Sequence, residues 1–214
     1  MDFEQLRKAM VETQLIPRGI ADPRVLKTFK KVPRHEFIPE KIQSSAYEDR
    51  ALPIAENQTV SQPYMAAVMT ENLQLKGNET VLEVGTGSGY QAAILAELCK
   101  KVYSIERFES LSLHARATAK NLGYTNIEFI IGDGTEGYSQ AAPYDRILVT
   151  AGCPGIPKPL IEQLKDGGRL VIPVGDVFQQ ILTIVTKEGD KTSIEESVPC
   201  VFVPLVGRFG WKSS

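Results

Sequence analysis

The stretch VLEVGTGSGYQAA, residues 81–93, decides how this chain folds. Val81–Val84 reads as a short buried strand, and Gln91–Leu98 continues as a helix. Gly85, Gly87 and Gly89 fill the junction between them. Glycine there permits positive φ and lets a ligand reach the backbone without meeting a Cβ. The helix behind turns its N-terminal amides and positive dipole end towards the turn. Two familiar nucleotide fingerprints fail on spacing. G-x-G-x-x-G, counted from Gly85 and Gly87, needs a glycine where Tyr90 stands, and the P-loop needs a Gly-Lys-Ser/Thr that is not present here.

Working outward from the turn, strand and helix alternate. Lys101–Glu106 reads as a strand, 108–121 as a helix ended by Gly123, 127–131 and 145–150 as strands, and 157–164 as a helix. Gly167-Gly168 then turns the chain into a strand at 169–174. That order implies right-handed crossovers and a parallel sheet covered on both faces. The tail departs from it: Val177–Thr186 and Thr192–Val203 are β-rich and joined by EGDK at 188–191, a hairpin. The expected fold is α/β, a doubly wound, mostly parallel, seven-stranded Rossmann-like sheet with one reversed strand and an N-terminal helical extension.

The first eighty residues have another texture. Phe3, Leu6 and Met10 predict a helix over 2–14, and Asp22-Pro23 starts a second one carrying Val25, Leu26 and Phe29. Pro33, Pro39 and Pro53 leave 32–60 mostly loop with one short helix, and a helix over 62–75 turns Met65, Val68, Met69 and Leu73 inward. The expected division is residues 1–79, an extension contributing to the substrate site, and 80–214, a cofactor-binding core with a C-terminal hairpin, in one compact unit.

Composition narrows the function classes. The 214 residues hold 24 Lys plus Arg against 26 Asp plus Glu, a formal net charge of −2, which argues against affinity built on phosphate neutralisation. MDFEQLRKAM lacks the apolar core of a secretory signal, and no apolar run approaches the ~20 residues of a membrane span. Cys99, Cys153 and Cys200 are widely spaced, form no C-x-x-C pair, and read as buried free thiols in a reducing compartment; no metal site is expected. The expected protein is a cytoplasmic monomer with no nucleic-acid or membrane partner.

Gly-x-Gly-x-Gly with Glu83 two residues ahead resembles the first motif of the class I S-adenosylmethionine-dependent methyltransferases. Glu106, twenty-one residues beyond Gly85 at a strand end, is placed to accept hydrogen bonds from two ribose hydroxyls. Asp133, in IIGDGTEG at 130–137, follows the next strand; the resemblance implies that it bonds the adenine amino group. The candidate cofactor residues are therefore Glu83, Gly85, Thr86, Gly87, Gly89, Glu106, Asp133 and Gly134. Acids at these strand ends also disfavour a phosphorylated ligand.

RGIADPRVLKTFKKVPRHEFIP at 18–39, ALPIAENQTVSQPYMAAVM at 51–69, PYDRILVTAG at 143–152, LKDGGRLVIPVG at 164–175 and VPLVG at 203–207 together resemble the protein-L-isoaspartate O-methyltransferase family along essentially the whole chain. The resemblance implies transfer of a methyl group from S-adenosylmethionine, leaving S-adenosylhomocysteine, to the α-carboxylate of L-isoaspartyl residues in damaged peptides and proteins, the first step of their repair. It singles out Ser61 as the catalytic residue, with Thr59, Val60, Ser61, Val203, Pro204 and Leu205 at the substrate. The S-Q-P-Y form at 61–64 resembles the bacterial branch, whereas other branches have Ala-Pro-His there, so no histidine role passes to Tyr64.

Plainer readings stand beside these. From spacing alone Ser61 is the N-cap of the helix over 62–75. His35 reads as a structural histidine at a helix–loop corner and His114 as a surface residue. Lys27, Lys30, Lys31 and Arg34 read as a solvated basic face or a weak attractor of anionic peptides. The apolar tail is either sheet core or an edge with which an extended peptide pairs. Two other functions remain open: a methyltransferase of this fold acting on a small molecule or RNA, and a non-catalytic S-adenosylmethionine- or peptide-binding module. The missing basic stripe and N-P-P-Y-type motif weigh against the former, and the PRHEF segment and Ser61 against the latter.

Overall fold

The computed structural model describes residues 1–212. Its centre is a seven-stranded sheet, β3 (Thr80–Val84), β4 (Lys101–Glu106), β5 (Ile127–Ile131), β6 (Tyr144–Val149), β7 (Leu164–Gly175), β8 (Gln180–Glu188) and β9 (Lys191–Cys200). The spatial order is β5-β4-β3-β6-β7-β8-β9. All neighbours pair in parallel except β8, which runs antiparallel to both β7 and β9, so one strand is reversed, as expected. The chain steps from β3 to β4 to β5 in one direction and returns to β6 on the other side of β3. That reversal puts a topological switch point at the C-terminal ends of β3 and β6, where open α/β sheets bind ligands.

Helices α4 (Tyr90–Ala96), α5 (Glu109–Asn121) and α6 (Lys158–Glu162) make the crossovers. Most boundaries lie within two residues of the sequence reading, β8 begins three residues later than read, at Gln180, and three further differences are local. Strand β7 starts at Leu164 and runs through Gly167-Gly168 with a register shift against β6, so the glycine pair bends a strand and does not precede one. The hairpin turn is tighter, with Glu188 paired to Lys191 and Gly189 at φ +61°. The last strand ends at Cys200, because the following residues leave the sheet to bracket Gly152: its amide donates to the Val203 carbonyl at 2.8 Å, and the Leu205 amide donates to its carbonyl at 2.8 Å.

In the N-terminal part, α1 (Phe3–Met10) is capped by the Asp2 carboxylate, which accepts from the Glu4 and Gln5 amides at 3.0 Å. The expected single helix widens into a π-turn at Val11–Leu15 and tightens into a 3₁₀ turn at Ile16–Arg18, where Pro17 supplies no amide. The Asp22 side chain caps α2 (Pro23–Lys31) through the Arg24 amide, with Val25 and Phe29 buried. Between 32 and 60 there are two 3₁₀ turns, Arg34–Phe37 and Glu40–Ser45, and a two-residue ladder, β1 (Leu52–Pro53) with β2 (Thr59–Val60). Helix α3 (Pro63–Asn72) starts one residue later than expected, and Met65 is only half-buried while Val68, Met69 and Leu73 are buried. One apolar cluster joins this part to the sheet, running from Met10, Phe29, Phe37 and Met69 to Val81, Ile94, Leu148 and Leu182.

Candidate active site

The glycine turn after β3 is built as its sequence demands. Gly85, Gly87 and Gly89 have φ of +96°, +52° and +87°. Gly85 also needs its missing side chain: a Cβ would meet Thr150 Oγ1 at 2.5 Å. Thr150 follows β6 at the switch point and ties the turn down, its hydroxyl donating to the Gly85 carbonyl at 2.6 Å. Gly89 caps α4 with its backbone and faces Ala115 on α5, so it shapes the turn from behind and does not line the cavity.

The two acids of this region have different fates. Glu106, 6% exposed, stands on the cavity wall with both oxygens anchored by backbone amides, Gly87 N to Oε2 at 2.9 Å and Phe108 N to Oε1 at 3.0 Å. Each carboxylate oxygen keeps acceptor capacity for a further donor. Glu83 is fully buried beneath the turn and absent from the wall. Ser104 donates to its Oε2, and the Ser104 hydroxyl lies 2.6 Å from Thr86 Oγ1, so a buried polar chain braces the glycine loop from below. Burial first, and then the neighbouring charge of Glu106, push the Glu83 carboxyl from 4.5 up to about 8 against the opposing Ser104 hydrogen bond. Glu83 is therefore neutral at pH 7 and repels no anion; on this wall that property is Glu106's.

Asp133 is also turned away from the cavity. Its Oδ1 accepts from the Thr135 amide and hydroxyl at 2.9 and 2.6 Å, and its Oδ2 from the Arg208 amide at 2.7 Å. Burial raises its pKa, but these hydrogen bonds outweigh that and hold it below the ordinary value. Its carboxylate fastens the C-terminal segment at Arg208, packed so closely that Gly207 has no room for a Cβ, while Gly134 beside it lines the cavity. The structure thus places Asp133 on the tail where the sequence suggested adenine.

The remaining candidates converge. Thr59, Val60 and Ser61 come in from β2, and Val203, Pro204 and Leu205 from the tail, facing Gly85, Thr86, Gly87 and Glu106 across one cavity. A second, wider groove opens beside it between Arg18, Asp49, Arg50, Tyr64 and the segment 198–203. Thr59, Ser61, Thr150 and Val203 line both, so they stand where the two spaces meet. Ser61 is not the helix cap: Gln62 is, and no side chain caps α3. The sequence had offered the cap as the alternative employment of its hydroxyl.

Several wall residues escaped the sequence reading. Thr150 could have been found from its position just after a parallel strand at the switch point. Tyr90, Gln91, Ile105 and Phe108 flank the glycine turn and Glu106 without any motif of their own. Arg34 was read as part of a solvated basic run but is fully buried. His35 is structural, its ring stacked on Phe3 at 4.0 Å and its Nδ1 2.8 Å from Tyr47 Oη. No helix among the described residues is long and apolar enough to cross a membrane.

The cavity fits an adenosyl cofactor on its own chemistry: a loop open to close backbone approach, an anchored carboxylate beside it, and apolar walls from Ile105, Phe108 and Leu205. Comparison with known proteins agrees. The family model for protein-L-isoaspartate(D-aspartate) O-methyltransferase matches residues 5–210. A Geobacter metallireducens protein-L-isoaspartate O-methyltransferase is 54% identical over 212 residues, 99% of this chain and 98% of its own, and one from Methanoculleus marisnigri is 53% identical over 207 residues, 96% of this chain and 94% of its own. Among solved structures, a protein-L-isoaspartate O-methyltransferase superposes with a TM-score of 0.86 at 28% identity over 97% of this chain and 67% of its own. A Plasmodium falciparum structure described as the same enzyme in complex with S-adenosyl-L-homocysteine gives 0.82 at 26% identity, over 94% of this chain and 98% of its own. The chain belongs to the protein-L-isoaspartate O-methyltransferase family.

Proposed function

We propose that the chain performs its family's reaction, methylation of the α-carboxylate of L-isoaspartyl residues in damaged proteins, at the junction of the two cavities. The observation that carries this assignment is that Thr59, Ser61, Thr150 and Val203 border both the cofactor-shaped cavity and the open groove. S-adenosylmethionine, when bound, supplies a methyl group made electrophilic by its sulfonium. Glu106 would hold the ribose hydroxyls, the backbone of Gly85–Gly87 would admit the amino-acid portion, and Ile105 and Phe108 would enclose the adenine together with Leu205, which lines this cavity and not the groove where it was expected at the substrate. The core from residue 80 onward supplies most of the cofactor cavity, residues 1–79 supply one wall of the substrate groove and also Thr59, Val60 and Ser61 to that cavity, and the segment 198–203 supplies the groove's other wall.

The reaction needs no general base. A carboxylate with a pKa near ~4 is ionised and nucleophilic at neutral pH. With the cofactor held, one of the carboxylate's oxygens would take the methyl group, and the electron pair of the broken carbon–sulfur bond would stay on sulfur. Anion and cation are both neutralised, so a dry pocket favours the step, and the protein's task is alignment. The Ser61 hydroxyl donates to the other carboxylate oxygen and turns the first towards the methyl group. The three free, buried cysteines support a reducing compartment, and we read the chain as a cytoplasmic monomer.

The test is transfer of radiolabelled methyl from S-adenosylmethionine to an isoaspartyl peptide and to its normal aspartyl twin. Labelling of the isoaspartyl peptide alone is expected. Equal labelling of both, or of neither, contradicts the assignment.

A further inference from the structure

Arg34 is a charge that the reaction just described does not use. It is fully buried and forms no ion pair among the described residues. A buried guanidinium without a carboxylate partner costs stability and does not supply it. What it gives in return must lie in the groups that it touches.

It touches three. Its Nε donates to the Ala46 carbonyl at 2.7 Å, and its Nη2 donates to the Ser61 carbonyl at 2.8 Å. Its guanidinium carbon sits 4.8 Å from the centroid of the Tyr90 ring, the first residue of α4 and part of the cofactor wall. Ala46 leads into Asp49, Arg50 and Ala51, which form one side of the open groove; Ser61, Gln62, Tyr64 and Met65 form another. The two-residue ladder of Leu52–Pro53 with Thr59–Val60 ties these sides together at one end, and Tyr64 and Met65 ride on α3. No backbone hydrogen bond among the described residues joins 46–50 to 61–65, so there the separation is left to side chains. The planar guanidinium, with its donors at fixed angles, spans two carbonyls at once, which a single ammonium cannot do at the same geometry. Gln62 makes a second strap between the same sides, its Nε2 donating to the Asp49 carbonyl at 3.0 Å and to Asp49 Oδ2 at 2.8 Å.

We propose that Arg34 is a positioning residue for methyl transfer: by gripping the Ala46 and Ser61 carbonyls against the Tyr90 ring, it sets the width of the substrate groove and aims Ser61 at the cofactor cavity. This rests on the assignment of Ser61 to the reaction. Because alignment carries the catalysis, a shift of Ser61 by a fraction of an ångström acts on turnover, while Gly85, Gly87 and the anchored Glu106, which Arg34 does not touch, stay as they are.

The experiment compares the wild type with Arg34→Lys and Gln62→Ala in the full chain, by three readouts: S-adenosylmethionine affinity from calorimetry, kcat and KM on an isoaspartyl peptide, and amide hydrogen exchange. For Arg34→Lys the expected result is unchanged cofactor affinity, a roughly ten- to hundredfold fall in kcat from misalignment, a raised peptide KM, and faster exchange over 46–65 but not over 81–106. Gln62→Ala shifts the same quantities the same way by less. Wild-type turnover in both variants overturns the proposal. So does Arg34→Lys losing cofactor affinity in step with turnover, since Arg34 would then serve folding alone; if that variant does not fold, Gln62→Ala with wild-type kcat overturns the strap. A wild type that ignores the isoaspartyl peptide refutes the assignment of Ser61 instead, and exchange over 46–65 still tests the clamp.

Discussion

The two sides of the site are made of different material. On the cofactor side, the wall is fixed by regular structure: Gly85 and Gly87 with positive φ, strand ends locked into a parallel sheet, a carboxylate anchored by two amides, and apolar side chains from Ile105, Phe108 and Leu205. On the substrate side, the wall is assembled from 3₁₀ turns, a two-residue ladder and an extended tail, held by side chains reaching across: Arg34 to Ala46 and Ser61, Gln62 to Asp49, and Gln180, whose Oε1 accepts from the Phe202 amide at 2.7 Å. A cofactor is the same at every turnover, and a fixed cradle suits it. A peptide substrate varies around one damaged linkage, and a strapped, wide groove leaves its neighbours unread.

The same contrast explains what the sequence disclosed. The bounds of β4 and β5 and of α5 were read almost to the residue, because the β-branched and aromatic residues of the two strands stand between polar or glycine-bearing connections and Gly123 ends the helix pattern. Ser61 was visible as a hydroxyl before a helix, but whether it caps that helix depended on one residue of offset, which Gln62 took. The burial of Arg34 and the direction of Asp133 were not legible, because each is defined by partners far along the chain, Ser61 and Arg208 respectively, whereas Thr150 has a legible position after β6 and only its bond to Gly85 was hidden. The neutrality of Glu83 was hidden for a related reason, since its burial comes from strands on both sides of β3.

The sharpest way to break the comparison is to separate the two acids of the cofactor side. Glu83 has a carboxyl neutral in the folded chain up to about pH 8 and ionised above about 4.5 when unfolded. Between those values the folded chain holds the extra proton, so stability falls as pH rises through that window, at about 1.4 kcal/mol per unit of separation between the two pKa values. Glu83→Gln is expected to flatten this fall: its melting temperature relative to wild type should climb from pH 5 to pH 8, while cofactor affinity changes less than in a Glu106 variant. A stability difference independent of pH would place Glu83 in an ionised, solvated setting that the structure does not have.

Glu106→Ala acts on binding. Loss of charged hydrogen bonds to ribose hydroxyls should weaken S-adenosylmethionine by about 1–3 kcal/mol, read by calorimetry. Cofactor affinity equal to wild type would remove Glu106 from the site and leave the wall without its anchored acceptor.

The most direct measurement of the central claim, that substrate alignment and cofactor binding are held by separate walls meeting at Ser61, is the Ser61→Ala variant assayed for both. The account predicts kcat on an isoaspartyl peptide lower by roughly tenfold or more, with S-adenosylmethionine affinity and melting temperature close to wild type, because the hydroxyl caps no helix. Unchanged turnover, or a loss of turnover matched by a loss of cofactor binding or of stability, would contradict it.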